Sequence, residues 1–387
     1  MMNVTSNSPA IKELALPYID ALRGYAILMV IATHVAIGAP MLSGVVRALV
    51  DQGQRGVQLF FVVSAFTLIT SWRHRHDGAL RFYIRRFFRI APMFWFAILF
   101  FMFFSGWAPK YWAPEGVTPG QVFLTAIFMH GWHPASFNSV VEGGWSIAVE
   151  FTFYLIFPIL MLQIRNAKQA VLALVIFYVL SLVCMHYFYL YRTLIWPDVT
   201  QDYLTWNLLN LWIINQMPVF IVGLLTYFLV ERFRNDLPWW VYSVILYGSI
   251  FMMVVISLRP DPYNLFHELI SIYLAFAICF GGLLFSLAGG AGKVLVNRPI
   301  EYLGKISFSA YINHFIVLGV LGGVLIQGID SLFPQIGRAL AFYVMYLGLV
   351  LFFTVLLSSL TFNWIEKPMI LLGKKCISSA AFTKLAK

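Results

Sequence analysis

Tyr18-Ile19-Asp20-Ala21-Leu22-Arg23-Gly24 opens a run that carries no charged side chain from Gly24 to Ala39 and a single imidazole, His34. A helix needs about 20 mostly apolar residues to cross the hydrocarbon core of a bilayer, so residues 18–39 read as a membrane span. Arg23 and His34 stand eleven positions apart. On a helix that is roughly three turns, which places both side chains on nearly one face, about 16 Å apart along the axis. Ionisable groups inside a span are costly and therefore mark candidate functional sites. Two readings fit the pair. Either it forms a polar track along one helix face, or Arg23 snorkels to headgroups and His34 bonds a neighbouring helix. Imidazole titrates near neutrality, which tips His34 toward chemistry.

Nine further apolar runs follow, at 56–72, 88–107, 146–164, 170–190, 207–229, 239–258, 267–288, 307–327 and 339–362. The expected fold is thus an all-α integral membrane protein of about ten transmembrane helices. Composition agrees: of 387 residues, 61% are apolar, 17% aromatic and only 11% charged, with a mean hydropathy of +0.82. Soluble domains carry about 25% charged residues, so an ordinary soluble enzyme, a disordered chain and a disulfide-stapled secreted domain are excluded. Cys184, Cys279 and Cys376 lie far apart without a CxxC pair, so neither a disulfide framework nor a zinc site is expected, and no metal.

The net charge of +10 is better explained by membrane topology than by nucleic acid. Sorted by alternating sides, twenty of the 26 Lys and Arg fall with the N-terminus; the other six are Arg47, Arg55, Lys110, Arg192, Arg259 and Arg338. The positive-inside rule then puts both termini in the cytoplasm. The expected organisation is a cytoplasmic tail at 1–15, a membrane domain at 16–372 and a second tail at 373–387. No cleavable leader is expected, because residues 1–15 are polar and the first run is long enough to span. The longest outer loop, 108–145, contains an apolar stretch, Val122 to His130, that reads as an interfacial or re-entrant helix.

Three more segments carry polar groups at membrane depth. Arg81-Phe-Tyr-Ile-Arg85-Arg86-Phe-Phe-Arg89-Ile-Ala-Pro92 puts Arg86 and Arg89 side by side on a helical face. Two adjacent guanidiniums suit a phosphate or pyrophosphate, although plain positive-inside charge gives the same pattern. Gly143-Gly144-Trp145-Ser146-Ile147-Ala148-Val149-Glu150-Phe151-Thr152-Phe153-Tyr154 places Glu150 one turn inside a span, where a carboxylate suits acid–base or histidine-orienting work, or simply sits at a wet rim. Tyr302 to His314 aligns Ser307, Tyr311 and His314 on one helix face. Hydrogen bonding between helices is the simpler account there.

Together these segments resemble acyltransferase family 3, the multispan membrane O-acyltransferases. The carriers are Asp20-Ala-Leu-Arg-Gly with Arg23-x10-His34, Gly56-Val-Gln-Leu-Phe-Phe-Val-Val-Ser64, Arg86-x-x-Arg89 before Pro92, and Trp145-Ser146…Glu150…Phe153-Tyr154…Pro158. Tyr302-Leu-Gly-Lys-Ile-Ser…His314 and Glu366-Lys-Pro368 complete the set. Ala65, Thr152, Phe308 and Asn313 depart from the family pattern. None of them touches Arg23, His34, Arg86, Arg89 or Glu150.

The resemblance implies transfer of an acyl group, usually acetyl, from cytoplasmic acyl-CoA to a hydroxyl on the outer side. The acceptor it implies is a glycan such as lipopolysaccharide O-antigen, exopolysaccharide or a lipid-linked saccharide. His34, Glu150 and Arg23 are then the expected catalytic group, with His34 as general base or transient acyl carrier and Glu150 as its orienting carboxylate. Arg85, Arg86 and Arg89 are expected to hold the phosphates of acetyl-CoA or another acyl-CoA. Trp145, Ser146, Tyr154, Ser64, Tyr311 and His314 are expected in supporting positions. Trp107, Tyr111, Trp112, Trp132 and Trp145 either stack on sugar rings or form an interfacial aromatic belt. Membrane lipids and a saccharide acceptor are the expected partners, nucleic acid is not, and a bacterial inner membrane is the expected location. The principal rival is a proton-coupled transporter or flippase of a lipid-linked sugar or acyl donor, for which the arginine pair is only topology signal.

Overall fold

The computed structural model describes residues 16–75, 78–196, 201–234, 236–259, 270–332 and 339–379. Most of both expected tails, together with His76 and Arg338, lies outside these residues. Among the described residues every regular element is helical. The order is α1 Pro17–Ile37, α2 Gly44–Asp51, α3 Gly56–Arg75, α4 Gly78–Ser105, α5 Pro119–Ala126, α6 Gly144–Gln163, α7 Ala167–Leu190 and α8 Arg192–Ile195. It continues with α9 Asp202–Leu211, α10 Ile213–Phe233, α11 Trp239–Ser257, α12 Ile272–Ala288, α13 Arg298–Lys305, α14 Ser307–Leu332, α15 Ala339–Thr361 and α16 Lys367–Ser378.

Nine helical stretches among the described residues are long and apolar enough to cross a membrane. The chain is an all-α, multi-pass membrane protein. A tenth apolar helix, α12, has 17 residues, at the short end of what can span. The expected sixth span is two helices, α9 and α10, because Trp212 leaves the helical region with ψ at 153°. The expected third span is longer than its apolar core: α4 runs for 28 residues, and the basic segment Arg81–Arg89 forms its early turns. At about 1.5 Å per residue such a helix is longer than the hydrocarbon core is thick, so its arginine-bearing part projects toward one end of the bundle.

Local sequence sets many of the helix starts. Pro17 occupies the first turn of α1, where its missing N–H is no loss. Thr118 and Gln121 form a reciprocal capping box on α5, and the side chains of Asn166, Ser271 and Asn297 accept backbone N–H groups at the starts of α7, α12 and α13. The Val122–His130 stretch resolves into the end of α5, a turn and a short 3-10 helix at His130–Trp132.

The site is positioned by one unusually close helix contact. A Cβ at Gly304 of α13 would lie 1.7 Å from the Asp20 carbonyl oxygen, and one at Gly24 of α1 would lie 2.2 Å from that of Ile300. Only glycine permits this approach, and it locks the start of α1, with Arg23, against the helix that feeds α14. By contrast α7 lies at the edge of the bundle, with only Ala170 and Ser181 buried. Its long apolar run faces lipid.

Candidate active site

α1, α3, α4, α6 and α14 converge on one cavity. Its polar lining is Arg23, Arg86, Arg89, Ser64, Ser146, Glu150, Tyr154, Ser307 and Tyr311. The expected Arg23, Arg86, Arg89 and Glu150 therefore meet in one space, although they come from three separate helices.

At one end stand the three guanidiniums. Arg23 donates to Thr67 Oγ1 at 3.2 Å and lies 3.7 Å from Asp20. Arg86 lies over the rings of Phe82 and Tyr154 at 5.7 and 5.8 Å, and its buried Nε makes no hydrogen bond among the described residues. Glu150 is the lining carboxylate. Its Oε1 accepts from Ser64 Oγ at 2.6 Å and from Tyr154 Oη at 2.5 Å. Behind the lining, Glu366 is 2% exposed and accepts from Ser309 Oγ at 2.9 Å. It sits in a π-helical turn, Phe362–Glu366, between α15 and α16. Such turns are frequent at functional positions.

Toward the other end, Tyr311 Oη donates to the Gly143 carbonyl at 3.0 Å and accepts from Ser146 Oγ at 2.8 Å. Gly143 has φ of +74°, and a Cβ there would meet Phe315 at 2.5 Å. That left-handed glycine lets the preceding loop drop onto α14 before α6 begins. The Tyr311 ring lies 5.8 Å from that of His314. His314 Nε2 lies 3.3 Å from Nδ1 of His34. Arginine, carboxylate, hydroxyl and imidazole groups thus follow one another through the helix interface rather than along one face of α1.

The structure separates some residues that the sequence had grouped. Glu150 makes no hydrogen bond to His34; its partners are Ser64 and Tyr154, and the partner of His34 is His314. The reason is geometric: Glu150 is four residues before Tyr154 on the same helix face and opposite Ser64 of α3, whereas His34 faces α14. Trp145 packs edge-on against Phe61 at 6.3 Å, and neither it nor Arg85 lines the cavity; His34 and His314 stand behind Tyr311 and do not line it either. Thr67, Ser309 and Glu366 were not foreseen as part of this centre. For Glu366 a signal existed in the Glu366-Lys-Pro368 motif, but nothing in sequence spacing connects it with Ser309.

The loop roof is held by His130, which is 1% exposed. Its Nε2 donates to the Gly144 carbonyl at 3.0 Å, its ring stacks on Phe94 at 5.6 Å, and burial lowers its pKa to about 4. Among the described residues no cluster of three or more His, Cys, Asp or Glu is placed to hold a metal ion.

A membrane-embedded helical bundle with ionisable groups gathered around an internal cavity is the class of protein these features define. A family profile described as an acyltransferase domain matches residues 16–363. The chain belongs to that family, acyltransferase family 3. It is 24% identical over 399 residues to the peptidoglycan O-acetyltransferase OatA of Listeria monocytogenes, an alignment covering 91% of this chain and 55% of that protein. It is also 24% identical over 408 residues to a putative O-acetyltransferase of Staphylococcus aureus strain COL, covering 97% of this chain and 61% of the relative. The O-acetyltransferase OatA of Staphylococcus aureus strain NCTC 8325 is 24% identical over 416 residues, with 95% and 58% covered. The chain spans under two thirds of the length of these curated relatives. No solved structure matches it.

Proposed function

We propose that this protein is a membrane O-acetyltransferase that moves an acyl group, acetyl above all, from acyl-CoA to a hydroxyl of a glycan. The observation that carries the reading is the cavity in which Arg23, Arg86 and Arg89 stand at one end while Tyr311 leads from the other to the His34–His314 pair. Charge-assisted, bidentate bonds from guanidiniums are the usual way to hold phosphate, which matches the pyrophosphate of a CoA donor. The excess of Lys and Arg on one side supports a cytoplasmic arginine end and a bacterial inner membrane as the setting. The relatives' names support an O-acetyl product, and one of them names peptidoglycan. Lipopolysaccharide O-antigen, exopolysaccharide and lipid-linked saccharides share that hydroxyl chemistry.

His34 acts as general base. It removes the proton of the acceptor hydroxyl as the oxygen attacks the thioester carbonyl, and returns that proton to the departing CoA thiolate. The products are the O-acetyl ester and free CoA thiol, and no further reagent is consumed. Glu150, held by Ser64 and Tyr154, balances the arginine charge beside the donor. The test is thiol release from acetyl-CoA in proteoliposomes, with mass spectrometry of the acceptor for a base-labile acetyl increment. Release together with an increment supports the reading. Sugar or acyl-donor transport without thiol release would overturn it in favour of a flippase.

A further inference from the structure

We propose that His314 is a positioning residue for His34: it takes the place of the carboxylate in a catalytic triad, accepts the Nδ1 proton of His34 and leaves His34 Nε2 as the reacting nitrogen. This rests on His34 being the general base, and it adds which nitrogen reacts and what orients it.

The hydrogen bonds determine the tautomers. His34 Nδ1 lies 2.9 Å from the Val30 carbonyl oxygen, and His314 Nδ1 lies 3.1 Å from that of Ala310. A carbonyl only accepts, so in the neutral pair each Nδ1 carries its proton. His314 Nε2 is then a lone-pair nitrogen, and it lies 3.3 Å from His34 Nδ1. The His34 proton is shared between Val30 and His314. Of the four ring nitrogens, His34 Nε2 alone has no hydrogen bond among the described residues.

Burial divides the roles in the same way. His314 is 0% exposed, while His34 keeps partial exposure. Phe315 packs against both rings, with centroids at 4.7 Å from His34 and 4.0 Å from His314. His314 is thus enclosed, anchored one helical turn back and unable to reach substrate itself. When the acceptor O–H bond breaks and its proton moves to His34 Nε2, the Nδ1–H becomes part of an imidazolium. Its bond to His314 Nε2 is then charge-assisted and stronger than in the resting pair. The gain appears as charge develops, which is where an interaction must act to raise kcat. A carboxylate in this position would bring its own desolvation cost; a neutral imidazole accepts the same proton without it.

The experiment uses the full chain in proteoliposomes, acetyl-CoA as donor and chitotriose as the acceptor probe, with thiol release as the rate. His314→Phe keeps a ring but removes the acceptor nitrogen, and is expected to lower kcat about 30-fold at an unchanged KM for acetyl-CoA. His314→Gln returns an acceptor oxygen near the Nε2 position and is expected to recover kcat to within about threefold of wild type. Full activity in His314→Phe, or a Gln variant no better than Phe, overturns the proposal. If His34→Ala is inactive while His314→Phe is fully active, only the positioning role falls. If His34→Ala keeps turning over, or wild type releases no thiol, the base assignment falls and the positioning role with it. Carbethoxylation by diethyl pyrocarbonate, mapped by tandem mass spectrometry, reads the pair without any substrate. His34 is expected to react faster than His314, and His314→Phe to slow it. Equal labelling of the two histidines overturns the proposal.

Discussion

Arg23, Arg86 and Arg89 crowd three guanidiniums around a cavity with one lining carboxylate, whereas His34 and His314, just past Tyr311, form a pair that needs no charge at rest. In the first region hydrogen bonding is incomplete: Arg86 Nε is buried without an acceptor among the described residues. In the second, both Nδ1 protons are directed at carbonyl oxygens of their own helices. A buried guanidinium whose hydrogen bonds are incomplete is costly, and part of that cost is recovered when an anion binds. A neutral imidazole pair is cheap to bury and is available for a proton. The arginine region is built to receive a ligand and the histidine region to act on one. Mutations should therefore separate them, one through KM and the other through kcat.

The largest effect is expected at His34. His34→Ala should lower kcat about 1,000-fold with the KM for acetyl-CoA within about twofold of wild type. A loss confined to KM would erase the contrast between the regions. Next comes the Arg86→Gln, Arg89→Gln double variant, expected to raise the KM for acetyl-CoA about 30-fold while kcat falls far less. Wild-type donor affinity should weaken with added salt and the double variant's much less, which titration at two ionic strengths measures. Glu150→Gln sharpens the comparison further. The amide oxygen still accepts from Ser64 and Tyr154, but the lining loses its negative charge, so donor KM should drop about threefold. A rise in KM would instead mean that Glu150 bonds the donor directly.

Much of this arrangement could be read from the chain, and the parts that could not share a physical reason. Spans are legible because about 20 apolar residues in a row have few other uses, and α1, α3, α6, α7 and α11 begin and end within a few residues of the runs that announced them. Arg23 stands out because charge in a span needs an explanation, and Arg86 with Arg89 because two adjacent guanidiniums suit a phosphate. Gly24 and Gly304 sat inside the recognised motifs, but their role is close helix approach and not chemistry. Sequence carries periodicity along one helix and almost nothing about which helix faces which. For that reason Glu150 was matched with His34 when its partners are Ser64 and Tyr154, and the tie between His34 and His314, 280 positions apart, emerged only from packing.

The last expected effect lies in the loop roof, acts on local stability rather than on turnover, and depends on pH. His130 titrates near 4 in the folded protein because it is buried, against an ordinary 6.5. Between those values the opened loop binds a proton that the closed loop does not. The His130 contribution is therefore complete above about pH 6.5 and is lost as pH falls toward 4, by on the order of 3 kcal/mol in all. Its Nε2–H bond to Gly144 and its stacking on Phe94 hold the loop over Gly143 and Ser146, so acid should loosen the roof of the cavity before it unfolds the spans. Limited proteolysis of the 106–143 loop should speed up between about pH 7.5 and pH 5 in wild type. His130→Phe loses the hydrogen bond, worth about 1 kcal/mol, but nothing in it titrates. It should be slightly more susceptible at neutral pH and nearly flat across the range. A variant as steep as wild type would place the acid sensitivity elsewhere, with Glu142 and Lys110 of the same loop the next groups to test: burial raises the pKa of the first and lowers that of the second.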